Sequence, residues 1–335
     1  MASVKANSLA AQLLRTGQVV AIPTETVYGL AADATNPAAV QRIFEAKGRP
    51  QDNPLIVHIA GQEMLAQVVA AWPPAAKRLA DAFWPGPLTL VLPRAGGIAP
   101  AVGAGLATVG VRMPAHPVAL DIIARAGVPL AAPSANRSGR PSPTTAAHVL
   151  QDMAGRIPLV VDGGNSPVGV ESTVVSLAGK PTVLRPGFVT PAELSEALGQ
   201  EVALAPSVQG PAEESGPVES PGVKYRHYAP KAKLTLVEGP LPAFAAFVAV
   251  KSTETPGVYA MCFTGEEKTL AVPAVPYGAE DDPKTQAAGL FAALRQLDEA
   301  GAQQVYARMP AGGGVGLAVR NRLLRAAQFR VESET

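Results

Sequence analysis

From residue 18 to about residue 204, short apolar runs alternate with stretches whose apolar residues recur at helical spacing. The runs predict strands over residues 19–23, 55–59, 88–92, 108–112, 129–132, 159–161, 173–177 and 182–184. The helical stretches predict helices over 37–47, 117–126, 144–154 and 191–198, with a weaker pattern over 74–83. An amphipathic helix ending at Gly17 precedes them. Asn36 and Pro37 read as an N-cap followed by proline at the first helical position, and Val40, Ile43 and Phe44 then share one face. Several strands follow one another with only a turn between, so an α+β, mixed-sheet domain is favoured over a regular doubly wound one.

The pattern breaks at residues 205–222, APSVQGPAEESGPVESPG, which offer little to bury and read as a linker. Beyond it, strands are predicted over 234–237, 258–263 and 305–307. A helix opens at Asp282-Pro283 with Leu290, Phe291, Leu294 and Leu297 on one face, and a last helix covers about 315–327. The expected organisation is a first domain over 1–205, a linker over 206–232 and a small α/β, Rossmann-like domain with a partly parallel sheet over 233–335.

Composition narrows the class. Of 335 residues, 47% are hydrophobic and 16% charged, as a compact globular chain requires. A formal net charge of +1 speaks against a strongly basic nucleic-acid binder. Cys262 is the only cysteine, which excludes a disulfide framework and a cysteine-rich metal site. The first residues lack the apolar core of a signal peptide, and no apolar run approaches the roughly 18 residues of a membrane span, so a cytoplasmic location is expected.

Candidate chemistry lies in a few polar stretches. Residues 45–55, EAKGRPQDNPL, set Lys47 and Arg49 on a tight turn between helix and strand. Such a turn either satisfies helix carbonyls or binds an anion. PTETVYGL (23–30) leaves a strand with two hydroxyls, a carboxylate and a phenol; it reads as a hydroxyl-rich turn or as the rim of a ligand crevice. AAPSAN (131–136) followed by RSGRPSPT (137–144) supplies small residues and the neutral donors Ser134, Asn136 and Ser142, with Ser142 or Thr144 also suited to cap the next helix. In TVGVRM (108–113), Thr108, Gly110 and Arg112 share one face of a strand. Glu171-Ser172-Thr173 precedes a strand and Arg185-Pro186-Gly187 ends the next, while the mid-strand His58 reads as a core histidine. GGGVG (312–316) does not match a dinucleotide fingerprint and reads as a flexible turn. No metal-ligand cluster, Ser–His–Asp arrangement or Walker loop is evident.

Taken in order, PTETVYGL, KGRPQDNPLIVHI, GVRMPAHP, SANRSGRPSPT, ESTVV and RPG resemble the YrdC-like threonylcarbamoyl-AMP synthases. SPGVKYRHYAP resembles the interdomain segment of that family's two-domain form, and GLAVRNRLLRAA its last helix. The resemblance implies a mixed-sheet domain with a concave site. It implies synthesis of L-threonylcarbamoyl-AMP from L-threonine, bicarbonate or CO2, and ATP, with pyrophosphate released. The product would pass to a separate transferase complex that modifies tRNA beside the anticodon. By the same resemblance Lys47 and Arg49 are catalytic; Lys47, beside Arg49, is expected to stay protonated and to act by charge stabilisation rather than as a general base. Arg49, Asn53, Thr108, Ser134, Asn136, Ser142 and Arg185 fall at ATP-binding positions, and Tyr225 or Tyr228 would close over the nucleotide. Thr26, His58, Arg112, Ala132 and Ser172 fall at threonine-binding positions. Mg2+ would be held mainly by the phosphates, with no dedicated protein ligands. Two other readings stand beside this one: a non-catalytic RNA-binding module, and a carbamoyl-adenylate enzyme of hydrogenase maturation. Membrane attachment and strong direct nucleic-acid binding are not expected.

Overall fold

The computed structural model describes residues 3–208, 210, 220–221 and 227–334. They divide into two units. The first is drawn from Met1–Ser138, Ser142–Pro167 and Glu171–Lys224, the second from Gly139–Pro141, Val168–Val170 and Tyr225–Thr335. Of the expected linker, residues 206–208, 210, 220–221 and 227–232 are described, and the rest lies outside the described residues. Two short stretches from the middle of the chain belong to the second unit, which the sequence did not suggest.

In the first unit the chain runs through α1 (Val4–Arg15), β1 (Val20–Ile22), β2 (Gly29–Asp33), α2 (Pro37–Lys47), β3 (Ile56–His58), α3 (Leu65–Val68) and α4 (Pro74–Phe83). It continues through β4 (Leu88–Pro93), β5 (Thr108–Arg112), α5 (Pro117–Ala126), β6 (Leu130–Ala131), α6 (Ala146–Met153), β7 (Thr173–Ser176), β8 (Thr182–Arg185), α7 (Pro191–Leu198) and β9 (Ala203–Leu204). The strands form one nine-stranded sheet in the order β1-β2-β6-β3-β5-β4-β7-β8-β9, with parallel and antiparallel pairs mixed as expected. β2 lies outside the expected strands: it is buried almost throughout and shows no alternation. Residues 159–161 make only an isolated parallel bridge, Val160 to Ala21, and not a strand.

The helices obey their local signals. Asn36 caps α2 by accepting from the N–H groups of Ala38 and Ala39, Pro37 opens it, and Gly48 closes it at φ +62°. Val40, Ile43 and Phe44 face a continuous core shared with Leu30, Val57, Leu90 and Val111. Lys47, the last residue of α2 before this cap, is buried.

The second unit adds β10 (Lys233–Glu238), α8 (Leu241–Glu254), β11 (Val258–Cys262), β12 (Ala274–Pro276), α9 (Pro283–Glu299), β13 (Gln304–Arg308), α10 (Gly316–Ala326) and β14 (Val331–Ser333). Its five strands, in the order β12-β11-β13-β10-β14, pair in parallel throughout, so this is a regular α/β layer. Leu290, Phe291, Leu294 and Leu297 of α9 are fully buried, as their spacing required. The sequence showed no helix at α8 because LPAFAAFVAV is apolar on nearly every side and has no amphipathic period.

Replacing the α2 cap, Asn36→Ala, is expected to lower stability by about 1 kcal/mol, because two N–H groups lose their acceptor. Asn36→Asp should restore most of it. Urea midpoints of the three proteins check this.

Candidate functional site

Parallel pairing of β3 with β5 sets His58 beside Arg112. Thr108, Gly110 and Arg112 share a face as expected, and Thr108 and Gly110 are half-exposed there while Val109 and Val111 are buried. Gly110 has little room for a side chain, since a Cβ would meet the Thr89 methyl at 3.0 Å. Arg112 itself is 3% exposed. Its Nε donates to the Gly86 carbonyl at 3.1 Å and one Nη to Thr26 Oγ1 at 2.9 Å, while the other Nη lies 2.6 Å from Glu25 Oε1. That last contact is an ion pair without hydrogen-bond alignment: neither Glu25 oxygen nor Arg112 Nη2 has an aligned partner among the described residues. The sequence offered Glu25 only as one carboxylate in a polar turn and did not assign it to the site.

The PTETVYGL loop is pinned from several sides. Thr24 Oγ1 donates to the Val27 carbonyl at 2.6 Å, Tyr28 N–H to Pro143 and Leu30 N–H to Pro133, and Ala135 N–H donates back to Tyr28. These bonds place Thr26 beside the loop that carries Ser134. His58 is buried, and burial together with the Arg112 charge pushes its pKa down to about 3, so it is neutral. Ala132 follows β6, its N–H bonded to the Ile56 carbonyl at 2.9 Å. Ser172 shares a hydrogen bond with Thr89 at 2.8 Å and accepts from Arg185.

A second cluster forms at the end of α2. Lys47, 2% exposed, donates to the carbonyls of Ser134 at 2.5 Å and Asn136 at 2.6 Å, and its own carbonyl accepts from Ser138 N–H. It therefore clamps the 134–138 loop from three points. Burial pushes the Lys47 ammonium well below the ordinary lysine value, the like charge of Arg49 lowers it further, and Asp152 works in the other direction. Arg49 therefore works against the protonation expected of Lys47, since a like charge favours proton loss. Arg49 is half-exposed and donates to the carbonyls of Asn53 and Pro54.

The hydroxyls also differ from expectation in direction. Ser134 Oγ donates to Asn136 Oδ1, and Ser142 Oγ donates to Glu171 Oε1, each at 2.5 Å. With their protons directed this way, both hydroxyls keep their lone pairs as acceptors. Arg185 is buried and directs Nε and one Nη to the Ser172 carbonyl, at 3.2 and 3.0 Å. Tyr228 lies in the second unit, 5% exposed, with its ring 5.4 Å from Phe291 and the Arg322 guanidinium 5.7 Å from its centroid. Tyr225 lies outside the described residues. Among the described residues no group of three His, Cys, Asp or Glu could hold a metal ion, and no helix is long and apolar enough to cross a membrane.

Comparison with known proteins also finds two parts, with a boundary that falls earlier in the chain than that between the two units. The family described as "Telomere recombination" (Sua5, YciO and YrdC) matches residues 12–187, and the C-terminal domain of threonylcarbamoyl-AMP synthase matches residues 189–328. The threonylcarbamoyl-AMP synthase of Pyrococcus abyssi is 44% identical over 96% of this chain and 94% of its own. That of Bacillus subtilis is 46% identical over 96% and 93%. The crystal structure of P. abyssi Sua5 complexed with L-threonine superposes with a TM-score of 0.92 at 43% identity, covering 98% of this chain and 95% of that one.

Because buried His58 stays neutral while the unfolded chain's histidine protonates below about pH 6.5, unfolding takes up a proton and stability falls with pH. Between pH 7 and 5 this group should remove about 2 kcal/mol, a loss that His58→Gln lacks. Urea unfolding of both proteins at the two pH values measures the difference.

Proposed function

The chain belongs to the two-domain threonylcarbamoyl-AMP synthase family, and from that premise we propose that it joins L-threonine, bicarbonate or CO2, and ATP into L-threonylcarbamoyl-AMP. The observation that carries this reading is the buried Glu25–Arg112 pair, whose unaligned oxygens and Nη2 complement the two ends of an amino-acid zwitterion. Arg112 meets the carboxylate and Glu25 the amino group, with Thr26, neutral His58, Ala132 and Ser172 around the side chain. The bound L-threonine in the P. abyssi relative supports this assignment.

The ammonium first releases one proton to solvent; the free amine then adds to the carbon of CO2 and releases a second proton, giving N-carboxythreonine. A carboxylate oxygen of that group then bonds to the α-phosphorus of ATP, the bond to the bridging oxygen breaks, and pyrophosphate leaves. This makes the enzyme a nucleotidyltransferase. Positioning and charge neutralisation are what such a step demands. Arg49, half-exposed, meets the phosphates directly. Asn53, Thr108, Asn136 and Arg185 complete the ATP positions, with Tyr225 or Tyr228 over the nucleotide. Ser134 and Ser142, as acceptors, fit ribose hydroxyls, the adenine amino group or metal-bound water better than phosphate oxygens. Lys47 acts through the loop it clamps and is a positioning residue in this reading. Mg2+ accompanies ATP, bound by its phosphates and water, and supplies charge neutralisation of the leaving group. The product passes to a transferase acting on the adenosine beside the anticodon in tRNA, and the cytoplasm is the location this reading implies.

Pyrophosphate release should require both L-threonine and bicarbonate and yield a threonylcarbamoyl adenylate by mass. An adduct formed only with carbamoyl phosphate would redirect the assignment to the hydrogenase-maturation chemistry. Arg112→Lys keeps the charge but loses the fork, and should raise the threonine KM about tenfold or more while shifting the ATP KM less than about twofold. Equal shifts in both would remove Arg112 from the amino-acid site.

A further inference from the structure

Along one face of the first unit's sheet, Thr89 stands between two residues of the amino-acid site. β4 runs antiparallel to β5 with Leu90 opposite Val111 and Val91 opposite Gly110, so one step further along the ladder Thr89 lies opposite Arg112. Its methyl is the atom that a Cβ on Gly110 would meet at 3.0 Å, which places the side chain on the face that Gly110 shares with Arg112. Its hydroxyl bonds to Ser172 Oγ at 2.8 Å, at the start of β7, the neighbour on the other side of β4. Thr89 is 0% exposed and Ser172 1%.

The direction of this bond follows from a count of protons. Arg185 can only donate, and its Nη2 takes one lone pair of Ser172 Oγ at 3.2 Å. The two hydroxyls hold two protons and share one bond, so one proton is left over. Left on Thr89 it would be sealed inside the sheet, since Ser172 is the sole partner of that hydroxyl among the described residues. Left on Ser172 it can be received by a ligand oxygen in the amino-acid site. With Thr89 and Arg185 both donating, Ser172 Oγ has no lone pair to spare and is a donor. Ser134 and Ser142 are its opposites, their protons already given to Asn136 and Glu171.

We propose that Thr89 is a positioning residue for threonine selection: by donating to Ser172 it makes the Ser172 hydroxyl a donor to the side-chain oxygen of bound L-threonine. This rests on Ser172 lying against the threonine side chain, as proposed for the amino-acid site. Such a donor separates an amino acid with an oxygen on Cβ from one without, because the second leaves a buried O–H unmatched. Thr89 itself touches no substrate in this arrangement and acts through Ser172.

The test is calorimetric titration of the full-length protein with L-threonine and with L-2-aminobutyrate, which lacks the hydroxyl. The unaltered protein should favour L-threonine about tenfold. Thr89→Val keeps the volume and removes the donor; it should weaken L-threonine about fivefold or more and shift L-2-aminobutyrate less than about twofold. Thr89→Ser returns a hydroxyl and should return the preference. Thr89→Cys, a weak donor of similar size, should lose part of the preference and serves if the valine variant does not fold. A loss shared equally by both ligands, unchanged L-threonine affinity in the folded variant, or an unaltered protein that binds both ligands alike would each overturn the proposal. Failure of the unaltered protein to bind L-threonine would instead overturn the amino-acid site on which it rests.

Discussion

A guanidinium placed inside an apolar sheet has to be matched, and Arg112 is the point around which the first unit is arranged. Isolated, its burial would be prohibitive; paired with Glu25, Thr26 and the Gly86 carbonyl it is tolerated. Glu25 can reach it only because the 23–30 loop is stapled to the Pro133 and Pro143 carbonyls. Gly86 can reach it only because β4 lies antiparallel beside β5. Removing either partner would leave a buried charge uncompensated, so the ion pair constrains the backbone as much as it prepares a binding site.

The remaining polar groups are organised mostly by backbone and by one another. Lys47 is engaged by carbonyls, Arg185 by the Ser172 carbonyl, and Ser134 and Ser142 by Asn136 and Glu171. A side chain fixed in this way reorganises little when a ligand arrives, which is the condition under which electrostatic stabilisation is most effective. Chemistry that transfers an adenylyl group without a covalent nucleophile suits such a scaffold.

Much of the fold was legible because its signals are local. The α2 cap, its proline and its terminal glycine are contiguous in sequence, and so is the buried stripe of α9. Buried strands such as β2, and the all-apolar α8, lack periodicity and could not be read that way. The site residues were legible as motifs, but their roles were not. Whether a serine donates or accepts depends on Glu171, twenty-nine residues from Ser142. The lowered pKa of Lys47 depends on its burial, and the packing of Tyr228 on Phe291 and Arg322. None of these distances is written in a local pattern.

The strand order also bears on how the chain acquires its structure during synthesis. β2 and β3 are near in sequence, yet β6 lies between them, paired to both. Neither can complete its ladder until residues 130–131 have left the ribosome, and β7 to β9 come later still. The nascent first unit thus exposes open sheet edges through much of its translation, a state vulnerable to wrong pairing. A non-local topology of this kind favours slow, late closure over stepwise growth from the N-terminus.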